Sequence, residues 1–151
     1  MRILAIDPGE RRLGVAVSDP TGIIAVPVEV IQRRGWAKDL ARLRHLMEIY
    51  QVTEIVVGLP LTESGTVGPQ ARVAARFAER LRASLAVPVT EVDERYSTVA
   101  AERSLRESGA GRAARRRRDA VAAALILQPM LDRARRNETL RGSGGDAMLA
   151  P

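Results

Sequence analysis

The chain has 151 residues, no cysteine, a single histidine and a formal net charge of +6. This length fits one domain, and the composition excludes disulfides, thiolate metal sites and a histidine-rich zinc site. No apolar run approaches the roughly 18 residues of a membrane span, and the sequence starts directly on an apolar strand without a signal-peptide pattern, so a cytoplasmic protein with no membrane partner is expected.

The basic excess is confined to the C-terminal third of the chain. Residues 1–94 contain 12 basic and 12 acidic side chains, whereas residues 95–141 contain 12 basic and 5 acidic ones. Arginine supplies 23 of the 24 basic side chains, as a GC-rich genome would give. That bias does not explain why the excess lies in one third of the chain. A localised basic segment predicts an anionic partner, with nucleic acid first.

Three strands are predicted in the first third of the chain. Residues 2–7 form a continuous apolar run, residues 12–18 follow after a Pro-Gly turn, and residues 23–31 follow after a second turn. The short turns make these strands antiparallel. Pro27 cannot donate a ladder hydrogen bond, so it favours an edge position or a bulge for the third strand.

The middle of the chain alternates helices and strands. Apolar residues spaced by 4, 3, 4 and 3 predict an amphipathic helix over residues 36–50, with His45 off the apolar stripe and in solvent. Strands are predicted at 53–57 and 87–92, with a helix over 69–85 between them. Each of these strands is reached through a helix, which predicts parallel pairing. The predicted fold class is therefore α/β, with a mixed five-stranded sheet of three antiparallel and then two parallel strands, flanked by helices.

Two further helices are predicted in the C-terminal third. One is expected over residues 97–108, and an Ala-rich helix is expected over 116–135, with Pro129 kinking it or ending it early. The Gly/Ser-rich sequence that follows predicts disorder. We therefore expect a domain at residues 1–136 and a disordered tail at 137–151.

Acidic residues end two predicted strands and begin the last helix. Asp7 ends the first strand, and Asp93 and Glu94 follow the fifth. Asp119 shares a helical face with small and apolar residues, so it is expected to point at the sheet. Because ligands bind at the carboxyl ends of strands in open α/β sheets, these acids can share one crevice if their strands are neighbours.

Three carboxylates in one crevice would repel each other unless cations were bound between them. Oxygen ligands without histidine or cysteine favour Mg²⁺ or Mn²⁺. Two metal ions about 4 Å apart are the usual arrangement for phosphodiester cleavage, where one activates a water and the other stabilises the leaving oxygen. Acids of this kind beside an arginine-rich segment therefore predict a two-metal nuclease.

Each of these residues also has a simpler explanation. Asp7 could fix its Asp-Pro-Gly turn, and the acids after the fifth strand could pair with Arg95 on the surface. Asp119 could cap its helix, the commonest role of aspartate at such a position. The run Arg115–Arg118 could be a solvated face of the same helix.

Four sequence blocks resemble, in the same order, the YqgF/RuvX family of small bacterial proteins. They are IDPGERRLGVAVSDPTG, VVGLP with the Gly-containing loop after it, VDERYST and RRDAVAAALILQ. The resemblance covers about residues 1–132. It implies an RNase H-like fold similar to that of Holliday-junction resolvases. It also implies nuclease activity on the 5′ end of pre-16S rRNA, on branched DNA, or on both.

The resemblance assigns the catalytic and metal-binding triad to Asp7, Glu94 and Asp119. It thereby favours Glu94 over Asp93 as the metal ligand after the fifth strand. Asp93 is then expected to fix the position of the loop or of Arg95. Family members often carry lysine in the basic approach to Asp119, where this chain has arginine, and the two are not equivalent phosphate ligands. Nucleic-acid contacts are expected at the first turn and at the arginines around the triad, which are Gly9, Arg11, Arg12, Arg95, Arg112, Arg115, Arg116, Arg117 and Arg118.

Two other functions are compatible with parts of the sequence. An Asp-x-Gly turn also holds nucleotide phosphates in actin-like and sugar-kinase ATPases, but those proteins need two related domains and this length provides one. A non-catalytic RNA- or DNA-binding module in ribosome assembly would explain the basic third. Nothing in the sequence separates precursor rRNA from a four-way DNA junction. Symmetric cleavage of a junction requires two active sites related by a two-fold axis, which makes a homodimer one expectation.

Overall fold

The computed structural model of the protein describes residues 2–60, 68–93 and 112–148, with the side chains of the last segment described from residue 119 to residue 142. Five strands lie within these ranges: β1 (Ile3–Pro8), β2 (Arg12–Ser18), β3 (Ala25–Gln32), β4 (Glu54–Leu59) and β5 (Val89–Asp93). They are accompanied by the helices α1 (Trp36–Tyr50), α2 (Pro69–Ser84) and α3 (Arg112–Met148).

The strands form one sheet in the order β3-β2-β1-β4-β5. The pairs β1–β2 and β2–β3 are antiparallel, and β1–β4 and β4–β5 are parallel. The predicted mixed five-stranded sheet is therefore confirmed. Pro27 lies on the edge strand β3, opposite Ala16, where the register between β2 and β3 shifts. The edge position and the irregularity expected of this proline are therefore both present. An edge strand tolerates proline because one side of its backbone has no ladder partner.

Helices cover both faces of the sheet, which explains why β1 is apolar throughout. In β1, Leu4 and Ile6 pack in the cluster under α1 and α2, whereas Ile3 and Ala5 pack under α3. The alternation of side chains along a strand sends successive residues to opposite layers. Asp7 has the same parity as Ile3 and Ala5 and so belongs to the α3 layer.

The helix α3 lies close to the sheet because its inward face carries small residues. Ala122 and Ala123 are fully buried, and Asp119 and Ile126 on the same side are 7% and 3% exposed. Gln128 fastens the helix to the β2–β3 connection. Its Oε1 accepts a 2.8 Å hydrogen bond from the Ala25 N–H, and its Nε2 donates a 2.7 Å bond to the Ile23 carbonyl. The predicted inward face of this helix is therefore confirmed.

The length of α3 differs from the sequence prediction. The helix was expected over residues 116–135 with a kink or early end at Pro129, and it continues as one helix to Met148. Pro129 is exposed, so the hydrogen bond that its ring removes is absent on the solvent side of the helix. Ile126, Leu127 and Leu131 pack against the sheet on the other side and hold the helix across the proline. The helix thus includes much of the segment predicted to be disordered.

The two middle helices agree with prediction, and His45 of α1 is exposed as expected. The helix predicted at 97–108 lies outside the described residues. Within the part of the chain that the structure describes, no helix combines the length and apolar character that a membrane span requires.

Candidate metal and nucleic-acid site

Asp7 and Asp119 reach the same point on the α3 face of the sheet from different elements. Asp7, near the end of β1, is paired with Gly14 of β2, and directly opposed residues of an antiparallel pair project to the same face. The backbone of Asp119 lies over Gly14 so closely that a Cβ built on the glycine would overlap the Asp119 carbonyl group. Asp7 is 5% and Asp119 is 7% exposed. Two of the predicted acids therefore lie beside one glycine.

Arg12 supplies a positive charge at this point. It lies two residues before Gly14 on β2 and therefore projects toward the same layer. Its Nε is 3.3 Å from Oδ2 of Asp119, and its side chain is 29% exposed. Arg12, predicted to contact nucleic acid, is thus ion-paired with one of the predicted metal ligands.

The turn between β1 and β2 is closed by a short hydrogen bond. The Gly9 N–H donates to the Arg12 carbonyl at 2.8 Å, and a Cβ on Gly9 would lie only 2.9 Å from the same oxygen. A side chain at position 9 would therefore crowd the turn. Arg11 is exposed at its tip. The turn presents its arginines at the edge of the sheet where Asp7 lies.

Arg33, which the sequence did not single out, also holds this turn. Its Nη1 donates a 2.8 Å hydrogen bond to the Gly9 carbonyl, and its Nε lies 3.6 Å from Oδ2 of the buried Asp39. A signal for Asp39 was available, because it shares a helical face with the buried Leu43 and Leu46. No sequence pattern relates Arg33 to Gly9, since their contact depends on how β3 pairs with β2.

The acids after β5 are separated from Asp7 by one strand. The strand β4 lies between β1 and β5, so those two strands are not neighbours and are about 10 Å apart at ordinary strand spacing. Because β1, β4 and β5 are parallel, their carboxyl ends still lie at the same edge of the sheet. Asp93 is paired with Leu59 at that edge and is exposed. Glu94 and Arg95 lie outside the described residues.

The basic segment leads directly into Asp119. Arg112 and Arg115–Arg118 belong to the first turns of α3, and their side chains lie outside the described set. Their backbone position brings this arginine-rich part of the chain to the end of α3 that lies over Gly14.

The donor set present at Gly14 suits a hard divalent cation. Asp7 and Asp119 provide carboxylate oxygens, the ligands that Mg²⁺ and Mn²⁺ prefer, and both are withdrawn from solvent. Among the described residues, histidine, cysteine and carboxylate side chains do not assemble into a group of three or more that would hold a metal ion. Asp7 and Asp119 alone are therefore too few to hold such an ion, which would need at least one further ligand.

Comparison with known proteins gives a family. The family model described as "RuvX: Holliday junction resolvase" matches residues 1–133. A relative from Roseiflexus sp. (strain RS-1) is 47% identical over 132 residues, which are 87% of this chain and 94% of the relative. A relative from Rhodococcus jostii (strain RHA1) is 46% identical over 154 residues, which are 98% of this chain and 86% of the relative. Both relatives bear the name "Putative pre-16S rRNA nuclease".

Among solved structures, the chain is similar to one titled "T. thermophilus RuvC in complex with Holliday junction substrate". The identity is 22% and the TM-score 0.48, with 83% of this chain and 91% of that chain covered. The family match spans both Asp7 and Asp119, and the relatives align over most of their own length. This chain therefore belongs to the RuvX family.

Proposed function

We propose that the protein is a metal-dependent endonuclease that hydrolyses phosphodiester bonds in structured nucleic acid. The observation that carries the proposal is the burial of Asp7 and Asp119 beside Gly14, at the end of α3 where the chain is most basic. Membership of the RuvX family supports it, because the family description names a resolvase and the relatives are named as rRNA nucleases. In this proposal the catalytic domain spans residues 1–136, close to the 1–133 matched by the family model.

The third acid in this proposal is Glu94. On β5, Val89 packs under α1 and α2, whereas Val92 packs in the cluster under α3, the layer to which Asp7 belongs. Successive residues of a strand face opposite sides of the sheet. Glu94 directly follows β5 in the chain, and the carboxyl end of β5 lies at the same edge of the sheet as that of β1, which supports Glu94 as the partner of Asp7 and Asp119. Asp93 has the opposite parity to Val92, which fits a supporting role for the loop that follows.

The acids and the arginine of the site would have different roles. Asp7, Glu94 and Asp119 would hold divalent cations, two ions in the full proposal. When bound, Mg²⁺ or Mn²⁺ supplies Lewis acidity and a water activated for in-line attack. Without a bound metal ion, the positive charge of Arg12 balances the negative charge of Asp119. Both aspartates are withdrawn from solvent, and buried carboxyl groups are usually paired with cations or coordinate metals, which favours metal binding at this point.

The nucleic acid would approach along the turn and the start of α3. Gly9, Arg11 and Arg12 would offer a close backbone approach and two cations. The other proposed phosphate contacts are the arginines Arg95, Arg112, Arg115, Arg116, Arg117 and Arg118. The names of the relatives favour precursor rRNA as substrate in the cytoplasm, and the family description favours branched DNA, for which a homodimer would present two sites.

The experiment is a cleavage panel with matched RNA, single-stranded DNA and four-way junction substrates in Mg²⁺ and in Mn²⁺. Wild-type protein should cut at least one structured substrate, and Asp7→Asn should abolish the cleavage while binding remains. Asp19→Asn is the matched control, because Asp19 lies in the exposed β2–β3 turn and changes charge in the same way. Asp19→Asn should cut like the wild type.

The alternative function is a nucleic-acid-binding module without catalysis, which the basic C-terminal third favours. Wild-type protein that binds the substrates but cuts none of them would support this alternative. Cleavage that persists unchanged in purified Asp7→Asn would assign the activity to a contaminant or to another site, and would remove the nuclease proposal.

A further inference from the structure

Asp39 is a buried carboxylate outside the proposed metal site. It lies in the first turn of α1 and is 2% exposed. Its Oδ1 accepts a 3.0 Å hydrogen bond from the Arg34 N–H, and its Oδ2 lies 3.6 Å from Nε of Arg33. A buried carboxylate is costly unless it is paired and hydrogen-bonded, and here both conditions are met within the segment that connects β3 to α1.

Arg33 carries this interaction to the β1–β2 turn. Its Nη1 donates to the Gly9 carbonyl at 2.8 Å, and its backbone N–H donates to the Arg11 carbonyl at 2.9 Å. The guanidinium carbon also lies 5.4 Å from the centre of the Phe77 ring of α2. A guanidinium is planar with its donors in a fixed fork, so the group that orients Nε also sets the direction of Nη1.

The turn held in this way has a proposed metal ligand at one end and a site arginine at the other. Asp7 lies two residues before Gly9, and Arg12 lies three residues after it. The Gly9 N–H is already bonded to the Arg12 carbonyl, so Arg33 holds the opposite side of the same peptide segment. A rotation of this turn would move Asp7 and Arg12 together, and the bond from Arg33 opposes such a rotation.

We propose that Arg33, oriented by Asp39, is a positioning residue for the metal site: it fixes the β1–β2 turn and thereby the places of Asp7 and Arg12. The proposal rests on the proposed function, since it assigns Arg33 to that site. A purely structural ion pair explains the contact less well. Buried pairs contribute little net stability compared with apolar residues, and here a donor is aimed at a carbonyl beside a predicted ligand.

The test is calorimetric titration of Mn²⁺ into the full chain without nucleic acid. Arg33→Gln should raise the dissociation constant for Mn²⁺ by roughly 10- to 100-fold, the usual cost of removing a residue that orients a metal ligand. Arg34→Gln is the matched control, because Arg34 is the exposed neighbour and its replacement removes the same charge. It should bind Mn²⁺ as tightly as the wild type.

Two more variants separate positioning from loss of folding. Asp39→Asn should weaken Mn²⁺ binding in the same direction, and combining it with Arg33→Gln should add little, because the two residues act in series. Arg33→Lys keeps the charge but lacks the fork, so it should restore only part of the affinity. Thermal unfolding of each variant identifies a temperature at which all of them are folded, and the titrations are run at that temperature. If Arg33→Gln does not fold, the Mn²⁺ affinity of Asp39→Asn is the test.

Folded Arg33→Gln or Asp39→Asn protein that binds Mn²⁺ with wild-type affinity would overturn the inference while leaving the nuclease proposal intact. A melting temperature that falls without any change in Mn²⁺ affinity would have the same meaning. If instead wild-type protein binds no Mn²⁺, or Asp7→Asn binds it as tightly as the wild type, the proposed metal site itself fails and the role of Arg33 fails with it.

Discussion

Gly14 of β2 lies directly beneath the backbone of Asp119, and the two approach so closely that a Cβ on the glycine would overlap the Asp119 carbonyl group. The same glycine is the strand partner of Asp7. One residue without a side chain therefore sets both the depth at which α3 lies on the sheet and the proximity of two nearly buried carboxylates. The need for glycine here is steric.

Gly14→Ala should force the start of α3 away from the sheet. Overpacking at such a close approach costs about 1–3 kcal/mol, so the melting temperature should fall by several degrees in thermal unfolding monitored by circular dichroism. Gly142→Ala is the control, because nothing lies within 4 Å of a Cβ at that helical position. The control should be neutral or slightly stabilising, since alanine favours a helix over glycine. Equal melting curves for Gly14→Ala and wild type would contradict the close approach.

The ion pair between Arg12 and Asp119 predicts opposite effects on two ligands. Arg12→Gln removes a cation 3.3 Å from a proposed metal ligand, so Mn²⁺ should bind several-fold more tightly in a calorimetric titration. The same change removes a proposed phosphate ligand, so nucleic acid should bind more weakly in an anisotropy assay. Arg34→Gln serves as the control for removal of one arginine. Weaker Mn²⁺ binding by Arg12→Gln would show that Arg12 orients Asp119 rather than competing for it.

The arginines before Asp119 are expected to act on the phosphate backbone. Changing Arg115–Arg118 to alanine should weaken binding to many sequences alike. It should also make the affinity less dependent on salt. The slope of log binding constant against log salt concentration should become shallower by up to roughly 0.7–0.9 for each phosphate that is no longer neutralised. The measurement is fluorescence anisotropy over a series of KCl concentrations.

The matched control for those arginines lies further along the same helix. Arg133, Arg135 and Arg136 are exposed and begin about 21 Å beyond Asp119 at the rise of an α-helix. Alanine at these three positions should change the slope much less. Equal effects of both sets would indicate a diffuse charge effect instead of a binding face beside the acids.

The β2–β3 turn predicts a pH effect away from the site. The carboxylate of Asp19 accepts hydrogen bonds from the Thr21 hydroxyl at 2.5 Å and from the Ile23 and Ile24 N–H groups at 2.9 Å. These bonds, that of Thr21 foremost, lower the pKa of Asp19 from 3.8 to about 2. A lowered pKa stabilises the fold above the unfolded value near 4, and this contribution disappears as the pH falls through about 2.

The stability difference between wild type and Asp19→Asn should therefore shrink between about pH 4 and pH 2. Urea unfolding of both proteins at several pH values measures it, because the other carboxyl groups titrate equally in the two chains. A carbon-detected NMR titration of the Asp19 carboxyl gives the midpoint directly. A difference that stays constant down to pH 2 would show that the turn does not favour the ionised form.

Much of the fold followed from local patterns. The continuous apolar run of β1, the short turns after β1 and β2, and the helices before β4 and β5 predicted the mixed sheet that is observed. Pro27 predicted an edge position or a bulge for the third strand, and both are observed. An early end of the last helix at Pro129 was a wrong expectation, because packing of Leu127 and Leu131 against the sheet outweighs the local cost of the proline. The predicted boundary at residue 135 was also wrong, since the helix continues to Met148.

For the candidate site, the sequence by itself determined which residues carry charge next to apolar elements, and so identified Asp7, Asp119 and the arginines before it. Only the tertiary structure decided which of them meet. Strand pairing set Asp7 opposite Gly14, and helix packing placed Asp119 over that glycine. Such contacts depend on register and on the distance between layers, which no local pattern encodes. For the same reason, the bond from Arg33 to Gly9 became visible only in the folded chain.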